Sequence, residues 1–130
     1  MNILPVVPTL KADSNVTALL GNNPLKVFED IAPTGTTYPY AVWSVVTANP
    51  ENNLDCAADI DHVSFQIVVY DSSQKRASDI RAAIRTVLEP YCYVTSIHPN
   101  HFERILDTNV FGRGFDANWW LNRLQIYFPT

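Results

Sequence analysis

The stretch Asp61-His-Val-Ser-Phe-Gln-Ile-Val-Val-Tyr-Asp71, followed directly by residues 72–89, decides the fold of this chain. Along residues 61–71 apolar and polar side chains alternate, which is the period of a half-buried β-strand. Beyond them the apolar positions recur at helical spacing: Ala77, Ile80, Ile84, Val87 and Leu88. Asp71 stands where an N-cap is needed and Gln74 follows three residues later, which predicts a capping box and a helix over Ser72–Glu89. A strand followed by an amphipathic helix indicates a packed domain with α and β elements.

Length and composition predict one domain over residues 1–130. With 130 residues, 47% of them apolar, the chain can bury a normal core without a metal or a disulfide. The formal charge of −4, from 13 acidic and 9 basic residues, argues against a surface that grips nucleic-acid phosphates. We therefore expect no specific binding of nucleic acid.

The start of the chain and the cysteines bear on the cellular compartment. The first eight residues have no basic segment and are interrupted by Pro5 and Pro8, so we expect no signal peptide. No apolar run approaches the ~20 residues of a membrane span, so no membrane partner is expected. Cys56 and Cys92 could form one disulfide, but a chain of this apolar content does not need it. We favour free thiols in a reducing cytoplasm.

Short helices and strands alternate in the rest of the chain. Asp13 or Ser14 can cap a short helix that ends at Gly21, and Val110–Phe115, broken by glycines, is expected to be a connection. Segments of β-strand composition are residues 25–28, 40–47, 91–97, 101–107 and 119–128. The order predicts an α+β fold: a single mostly antiparallel β-sheet with two main α-helices packed on one face.

The predicted strand over residues 40–47 is largely apolar on both faces. The two sides are Tyr40, Val42 and Val46 on one, and Ala41, Trp43 and Val45 on the other. A strand of this kind is usually covered on both sides. We expect the helices to cover one face and a neighbouring subunit or a loop to cover the other.

A protruding polar loop is predicted over residues 48–59. Counted to Asp61, it carries four acidic residues and no lysine or arginine: Glu51, Asp55, Asp59 and Asp61. The three aspartates could offer oxygen ligands to calcium, but the twelve-residue pattern with its central glycine and final glutamate is absent. We favour a solvated acidic loop.

Two histidines are the strongest candidates for a metal site. His98 and His101 share the sequence His-Pro-Asn-His, but catalytic zinc usually needs a third protein ligand, and the nearest carboxylate, Glu103, completes no recognised spacing. We favour two surface histidines and expect no metal and no cofactor. Ser44 and Ser64 lie inside predicted strands, and neither cysteine has the signature of a nucleophile. No catalytic residue is predicted.

The three tryptophans are candidates for the core or for an interface. Core packing is the favoured interpretation for Trp43 and Trp120, because aromatic side chains dominate small cores. Trp119 shares its predicted face with Arg123 and Gln125. A tryptophan beside an arginine is typical of an interface centre, so core and subunit contact remain equal alternatives for Trp119.

The segments follow one another in a characteristic order. A helix ending in Leu-Leu-Gly21 precedes Lys26-Val-Phe28 and the strand Tyr38-Pro-Tyr-Ala-Val-Trp-Ser-Val-Val46. The acidic, asparagine-rich loop, the strand Val63–Asp71 and the helical segment Ala77–Arg85 complete the series. This order resembles the tail-completion or tail-terminator proteins of long-tailed phages, the family that includes the lambda-type terminator. The resemblance covers nearly all of the chain.

The resemblance implies a structural virion protein and no enzyme. It implies a ring, expected to be a hexamer, that caps the tail tube, stops its polymerisation and offers a docking surface to the head and neck. The implied partners are further copies of the chain, the major tail tube protein and a head–tail connector or neck protein, while DNA passes through the lumen without specific binding. The implied location is the head-proximal end of the virion tail, and the host cytoplasm during assembly.

Candidate contact residues lie in the acidic loop and near the end of the chain. Contacts to the tube or the lumen are expected from Glu51, Asn52, Asn53, Leu54, Asp55 and Asp59. Contacts between subunits are expected from Trp119, Arg123 and Tyr127. Two other functions stay open: a small metal-dependent enzyme built on His98, His101 and the acidic loop, and a monomeric ligand-binding α+β module.

Overall fold

The computed structural model describes residues 4–50 and 60–122. Its helices are α1 (Val6–Lys11), α2 (Ser14–Leu20) and α3 (Gln74–Leu88). Its strands are β1 (Val27–Glu29), β2 (Tyr40–Pro50), β3 (Ile60–Asp71), β4 (Tyr93–Ile97), β5 (His101–Ile105) and β6 (Thr108–Asn122). The predicted order of helices and strands is confirmed, with one additional helix at the start.

One six-stranded sheet contains all of these strands, in the order β1-β2-β3-β6-β4, with β5 also paired to β6. Only β1 and β2 run parallel; the other pairs in the described residues are antiparallel. The central pair is long, because β3 and β6 stay in register from Ile60↔Asn122 to Asp71↔Phe111. The predicted α+β class with a mostly antiparallel sheet is confirmed.

The core lies between the sheet and the helices. Odd-numbered β3 residues point toward α3 and are buried: Val63, Phe65, Ile67 and Val69. The apolar face of α3 meets them with Ala77, Ile80, Ile84 and Leu88, as its spacing predicts. Helices α1 and α2 contact α3 and add Val6, Leu10, Val16 and Leu20 to the same cluster. We call this side of the sheet the helix face.

The two short helices at the start differ in how well the sequence predicts them. For α2, the Asp13 carboxylate accepts from the backbone N–H groups of Asn15 (2.9 Å) and Val16 (3.0 Å), and Gly21 ends the helix at φ 93°. Helix α1 was not expected because it contains Pro8. Pro8 lies in its first turn, where backbone N–H groups lack helical acceptors anyway, so the helix tolerates it.

The predicted capping box at Asp71 is wrong. Ser73 is the N-cap of α3, and its hydroxyl accepts from the backbone N–H of Arg76 at 3.3 Å. Asp71 is still the last residue of β3 and its side chain points to the helix face. The helix therefore begins at Gln74, which places Gln74 in the first helical position, where it cannot complete a capping box.

Two predicted connections are partly strand. Residues 48–50 continue β2 and pair with residues 61–63, so these three residues belong to a strand and not to the predicted loop. Val110–Phe115 lies inside β6, where Gly112 and Gly114 are paired with β3. Glycine at these positions does not break the strand. Because glycine has no side chain, other residues can lie close to the backbone of β6 there.

Candidate functional site

The second side of the sheet, which we call the open face, carries no helix among the described residues. Even-numbered β3 residues point to it and are half-buried: Ser64, Gln66, Val68 and Tyr70. The register places Ser44 of β2 and Asp116 of β6 on either side of Gln66. The open face is therefore a mixed polar and apolar surface built from three neighbouring strands.

Hydrogen bonds between strands order the polar side chains of the open face. The Ser64 hydroxyl donates to Asn118 Oδ1 at 2.7 Å, and Gln66 Nε2 donates to the Ser44 hydroxyl at a longer 3.4 Å. These groups keep access to solvent, since all four are half-buried. Such side chains can exchange water for a protein partner without leaving a buried polar group unpaired.

His98 lies over the open face because Gly114 makes room for it. The His98 backbone N–H donates to the Gly114 carbonyl oxygen at 2.9 Å, and His98 Nε2 lies 2.8 Å from Asp116 Oδ1. A Cβ at Gly114 would lie 2.6 Å from the Ile67 carbonyl oxygen and 2.7 Å from His98 Nδ1. Residue 114 must therefore be glycine for this close packing.

The histidines do not converge on one point. His98 pairs with Asp116, whereas His101 Nε2 lies 3.9 Å from Glu103 Oε2. Within residues 4–50 and 60–122, no three metal-ligating side chains come together. The geometry of the described residues gives the alternative of a metal site no support.

Two depressions lie on the open face and share Gln66. One has a volume of about 520 Å³ and extends from Val46 to Asn118; the other, of about 300 Å³, extends from Tyr70 to His98. Strand residues line most of both, and His98 and Pro99 of the β4–β5 connection line the second one as well. A surface of this kind suits contact with another protein better than enclosure of a small molecule, because a ligand pocket buries most of its ligand.

An aromatic cluster lies where β4 meets the end of β6. We define it as Tyr93 and Trp120, which are 70% and 44% exposed; the exposed Tyr91 stacks instead on Trp119, on the other side of the sheet. Tyr93 meets Trp120 edge-on at 5.5 Å, and Trp120 stacks on His62 at 4.5 Å. Tyrosine and tryptophan are the residue types most enriched at the centres of protein interfaces.

The tryptophans divide between core and surface according to the register of β6. Trp43 is fully buried, as predicted, and Trp119 is 6% exposed beneath Tyr91. The prediction that Trp120 belongs to the core is wrong, because its side chain points to the open face. The single chain does not test the predicted subunit contact of Trp119.

A hairpin arm lies at the opposite end of β6. We define the arm as residues 101–110, which pair only with each other from Glu103↔Val110 to Ile105↔Thr108. Its turn places Leu106 and Asp107 at φ 48° and 64°. Three apolar side chains of the arm are exposed: Phe102 (57%), Ile105 (42%) and Leu106 (94%).

Arg113 holds the base of the arm. This side chain is only 2% exposed, and its Nη1 donates to the carbonyl oxygens of Gly112 (2.9 Å) and His101 (3.2 Å). Its guanidinium group also lies 5.8 Å from the centre of the Phe111 ring. The base of the arm is thus bound to the core, in contrast to its tip.

A buried ion pair joins β3 to α3. Asp71 is fully buried and accepts from Arg76 Nε at 2.6 Å and Nη2 at 2.7 Å. Burial alone would raise the pKa of Asp71, but hydrogen bonds from Arg76 and from the backbone of Ser73 and Ser72, with the charge of Arg76, lower it below its ordinary value. No sequence motif indicated this pair.

Most of the predicted contact residues lie outside the described part of the chain. They are Glu51, Asn52, Asn53, Leu54, Asp55, Asp59, Arg123 and Tyr127. Their nearest described neighbours are the strand ends at Pro50, which pairs with Asp61, at Ile60 and at Asn122. His62 stacks on Trp120, so the strand ends on either side of residues 51–59 lie near the aromatic cluster.

The described cysteine is an unreactive core residue. Cys92 is a free thiol, it is buried, and its Sγ donates to the Leu88 carbonyl oxygen at 3.3 Å. Burial, with a smaller effect of Glu89, raises the pKa of Cys92 to about 11. Since the thiolate is the reactive form, this thiol is a poor nucleophile at neutral pH. Cys56 lies outside the described residues.

Together these features define a class of protein: an α+β domain with one covered sheet face, one open face, and exposed apolar groups that suit assembly. The chain belongs to the family of the tail completion protein gp17, whose family model matches residues 5–104. No curated protein matches the sequence. No helix among the described residues is long and apolar enough to cross a membrane.

A solved structure shares the fold. It is a chain from the "Virion of native gene transfer agent (GTA) particle", with a TM-score of 0.52 and 17% sequence identity. The match covers 89% of this chain and 92% of that chain. At this identity the likeness establishes the common fold.

Proposed function

We propose that this protein is a structural virion component that completes a phage-type tail. In this proposal, copies of the chain form a ring, which we expect to be a hexamer. The ring caps the tail tube, ends its polymerisation and presents the surface on which the head and neck dock. The family match over residues 5–104 is the observation that carries the proposal.

The surfaces of the domain are compatible with a ring. Closed rings of identical subunits use head-to-tail contacts, in which one patch of a subunit meets a different patch of the next. The open face, with the aromatic cluster at one end of it, and the arm are distinct surfaces available for such contacts. Trp119, Arg123 and Tyr127 remain the proposed subunit contacts, and Trp119 would act by supporting Tyr91 from below.

The acidic loop is the proposed contact to the tail tube or the lumen, through Glu51, Asn52, Asn53, Leu54, Asp55 and Asp59. The net charge of −4 fits a ring through which DNA passes without being held, because a surface poor in unpaired cations does not bind phosphates. We place the protein at the head-proximal end of the tail, and in the host cytoplasm during assembly, with a non-enzymatic role.

The test is a variant that lacks the charge of the loop. Replacing Glu51, Asp55 and Asp59 with serine removes three negative charges per subunit. We expect the thermal midpoint to stay near that of the parent while complementation of a terminator-deficient phage drops, with tails of abnormal length and unjoined heads. Electrostatic complementarity governs encounter and specificity at such surfaces, which is the reason for the loss.

A matched control removes three carboxylates elsewhere. Glu29, Asp79 and Glu89 lie outside the loop, and the ion pairs of Asp79 with Lys75 and of Glu89 with Arg85 are exposed and contribute little stability. The control should complement normally. A normal virion yield from the loop variant would mean that the loop is only a solvated connection and makes no required contact. A protein that stays monomeric at high concentration and also fails to bind tail tubes would contradict the function itself.

A further inference from the structure

The two least exposed arginines of the described residues are the two that have no carboxylate partner there. The three exposed arginines each pair with an aspartate or a glutamate. Arg113, which is 2% exposed, and half-buried Arg81 form no ion pair within residues 4–50 and 60–122. Buried charges in proteins are normally paired, because an unpaired one loses its hydration without compensation. The reverse distribution in this protein points to a place that suits an anion.

Both guanidinium groups lie at the edge of β6 that faces away from β3. The pairing Val69↔Arg113 puts the Arg113 side chain on the helix face, because Val69 is buried there. Its Nη1 donates to the carbonyl oxygen of Gly112 at 2.9 Å. Arg81 reaches the same edge from α3, with Nη1 3.5 Å from the Gly114 carbonyl oxygen, which also accepts from the β4–β5 connection. Carbonyl oxygens two residues apart in a strand are about 7 Å apart, so the two arginines are neighbours.

Most N–H groups of the two arginines remain available to a ligand. A guanidinium group has five N–H donors. Arg113 uses Nη1 for the carbonyl oxygens of Gly112 and His101, and Arg81 makes the long contact to Gly114. Within the described part of the chain, Nε and Nη2 of both side chains bind no oxygen. These two nitrogens form the fork that a carboxylate matches with two parallel hydrogen bonds.

The local charge also favours an anion. Burial, followed by the positive charges of Arg113 and Arg85, lowers the pKa of Arg81 below its ordinary value. Arg85 is itself paired with Glu89 at 2.8 Å, so the uncompensated positive charge comes from Arg81 and Arg113. A negative charge beside these two groups would offset their repulsion.

We propose that Arg81 and Arg113 form a binding site for a carboxylate, presented by an acidic side chain of a partner protein. The entrance is narrow, because only 2% of Arg113 is exposed. A carboxylate at the end of a flexible side chain can enter it, whereas a phosphate of nucleic acid is flanked by sugars on both sides. Two cations on a chain of net charge −4 are also too few to hold duplex DNA.

A purely structural role is the alternative for these arginines. Arg113 binds the carbonyl oxygens of Gly112 and His101 and so stabilises the base of the arm. That role accounts for Nη1 of Arg113. It leaves the other nitrogens of Arg113 and the charge of Arg81 unexplained, and these are the groups that the carboxylate site uses.

NMR spectra of the arginine side chains test the site directly. The Nε–H signals of Arg81 and Arg113 would be followed while a short peptide with two glutamates among glycines is added. The matched control is the same peptide with glutamines in place of the glutamates. We expect both signals to shift in a saturable manner with the glutamate peptide only. The signals of Arg85 and Arg104, which already have carboxylate partners, should stay in place.

A charge-matched pair of variants tests which cation is responsible. Arg81→Gln should weaken binding of the glutamate peptide about tenfold, because it removes hydrogen bonds to a charged group. Lys75→Gln removes the same charge from the same helix at a side chain that is 87% exposed, and should leave binding unchanged. Arg113 stays in place because it holds the base of the arm, and its signal in the parent protein reports on it without a substitution.

Each other result would overturn the inference. Signals that do not move with the glutamate peptide would leave two structural arginines. Equal weakening by Lys75→Gln would mean a general attraction between charges. A saturable response to inorganic phosphate or to a short DNA duplex, without one to the peptide, would assign the site to phosphate. The inference goes beyond the proposed function, and none of these measurements involves rings or tails, so either can fail while the other stands.

Discussion

The two faces of the same sheet differ in what they contribute. On the helix face, Phe65 and Ile67 are 1% exposed and lie against α3. On the open face, their neighbours Ser64 and Gln66 are half-buried and hydrogen-bond to other strands. One strand, β3, supplies both sets of side chains because its residues alternate.

This difference separates folding from assembly. Burial of apolar area is the main source of folding free energy, and it is concentrated on the helix face. Polar, half-buried groups contribute less to folding because they exchange one set of hydrogen bonds for another. Substitutions on the helix face should therefore change stability most, and substitutions on the open face should change it least.

The largest effect is expected from Ile84→Ala on the helix face. Ile84 is fully buried in the cluster between α3 and the sheet. Removing its side chain leaves a cavity, so we expect a loss of about 2–5 kcal/mol in the free energy of unfolding, measured by urea titration.

Ile31→Ala is the matched control for this substitution. It makes the same chemical change at a side chain that is 78% exposed, so the loss should be within about 0.5 kcal/mol. Equal losses for Ile84→Ala and Ile31→Ala would mean that the helix face is not the source of the stability.

The next effect concerns the buried charge on the helix face. Asp71→Asn removes the negative charge and one of the two oxygens that accept from Arg76, and we expect a loss of about 1.5–3 kcal/mol at pH 7. Arg76 stays partly exposed, so water can solvate it in the variant, which keeps the loss below that of a fully buried pair.

The pH dependence identifies the cause of that loss. The folded pKa of Asp71 lies below its ordinary value of 3.8, so on acidification the unfolded chain takes up the proton first. The stabilisation is complete above pH ~5 and disappears as the pH falls through 3.8 and then through the folded pKa. The difference between parent and Asp71→Asn should shrink over this range. A difference that stays constant down to pH 2 would exclude the carboxylate as its source.

Much of the fold follows from the sequence because the longest elements have the clearest periods. Strand β3 alternates and helix α3 repeats over 15 residues, and both are confirmed. Errors occur where two local signals compete. Asp71 and Ser73 are both good N-caps by residue type, and the choice of Ser73 depends on the Asp71–Arg76 pair across the β3–α3 turn.

The candidate surfaces could not be predicted because they depend on strand register. Ser64 and Asn118 bond across 54 positions of sequence, and no local pattern connects them. The same register decides that Trp119 is buried and Trp120 is exposed. A shift of one residue in the β3–β6 register would bury Trp120 and expose Trp119. The observed pairing of β6 with β3 excludes that shift.

A smaller effect is expected at the close contact between His98 and the sheet. Gly114→Ala would put a Cβ 2.6 Å from the Ile67 carbonyl oxygen, a backbone atom that cannot turn away. We expect a loss of about 1–3 kcal/mol, as for overpacking, and a shift of the His98 ring resonances in NMR spectra. Gly112→Ala is the control, since its Cβ would meet His101 at an ordinary 3.4 Å. Unchanged His98 resonances in Gly114→Ala would show that the histidine does not lie against this strand.

The smallest effect is expected at the centre of the open face. Ser64→Ala removes the 2.7 Å hydrogen bond to Asn118 Oδ1, and we expect a loss of about 0.5–1.5 kcal/mol because Asn118 is half-buried and can bond to water instead. Exposed Ser96→Ala on β4 should change the stability by less than about 0.5 kcal/mol. Urea titration of both variants, beside Ile84→Ala, ranks the two faces on one scale. If Ser64→Ala cost as much as Ile84→Ala, the open face would be part of the folding core, and its use as a surface for assembly would lose its physical basis.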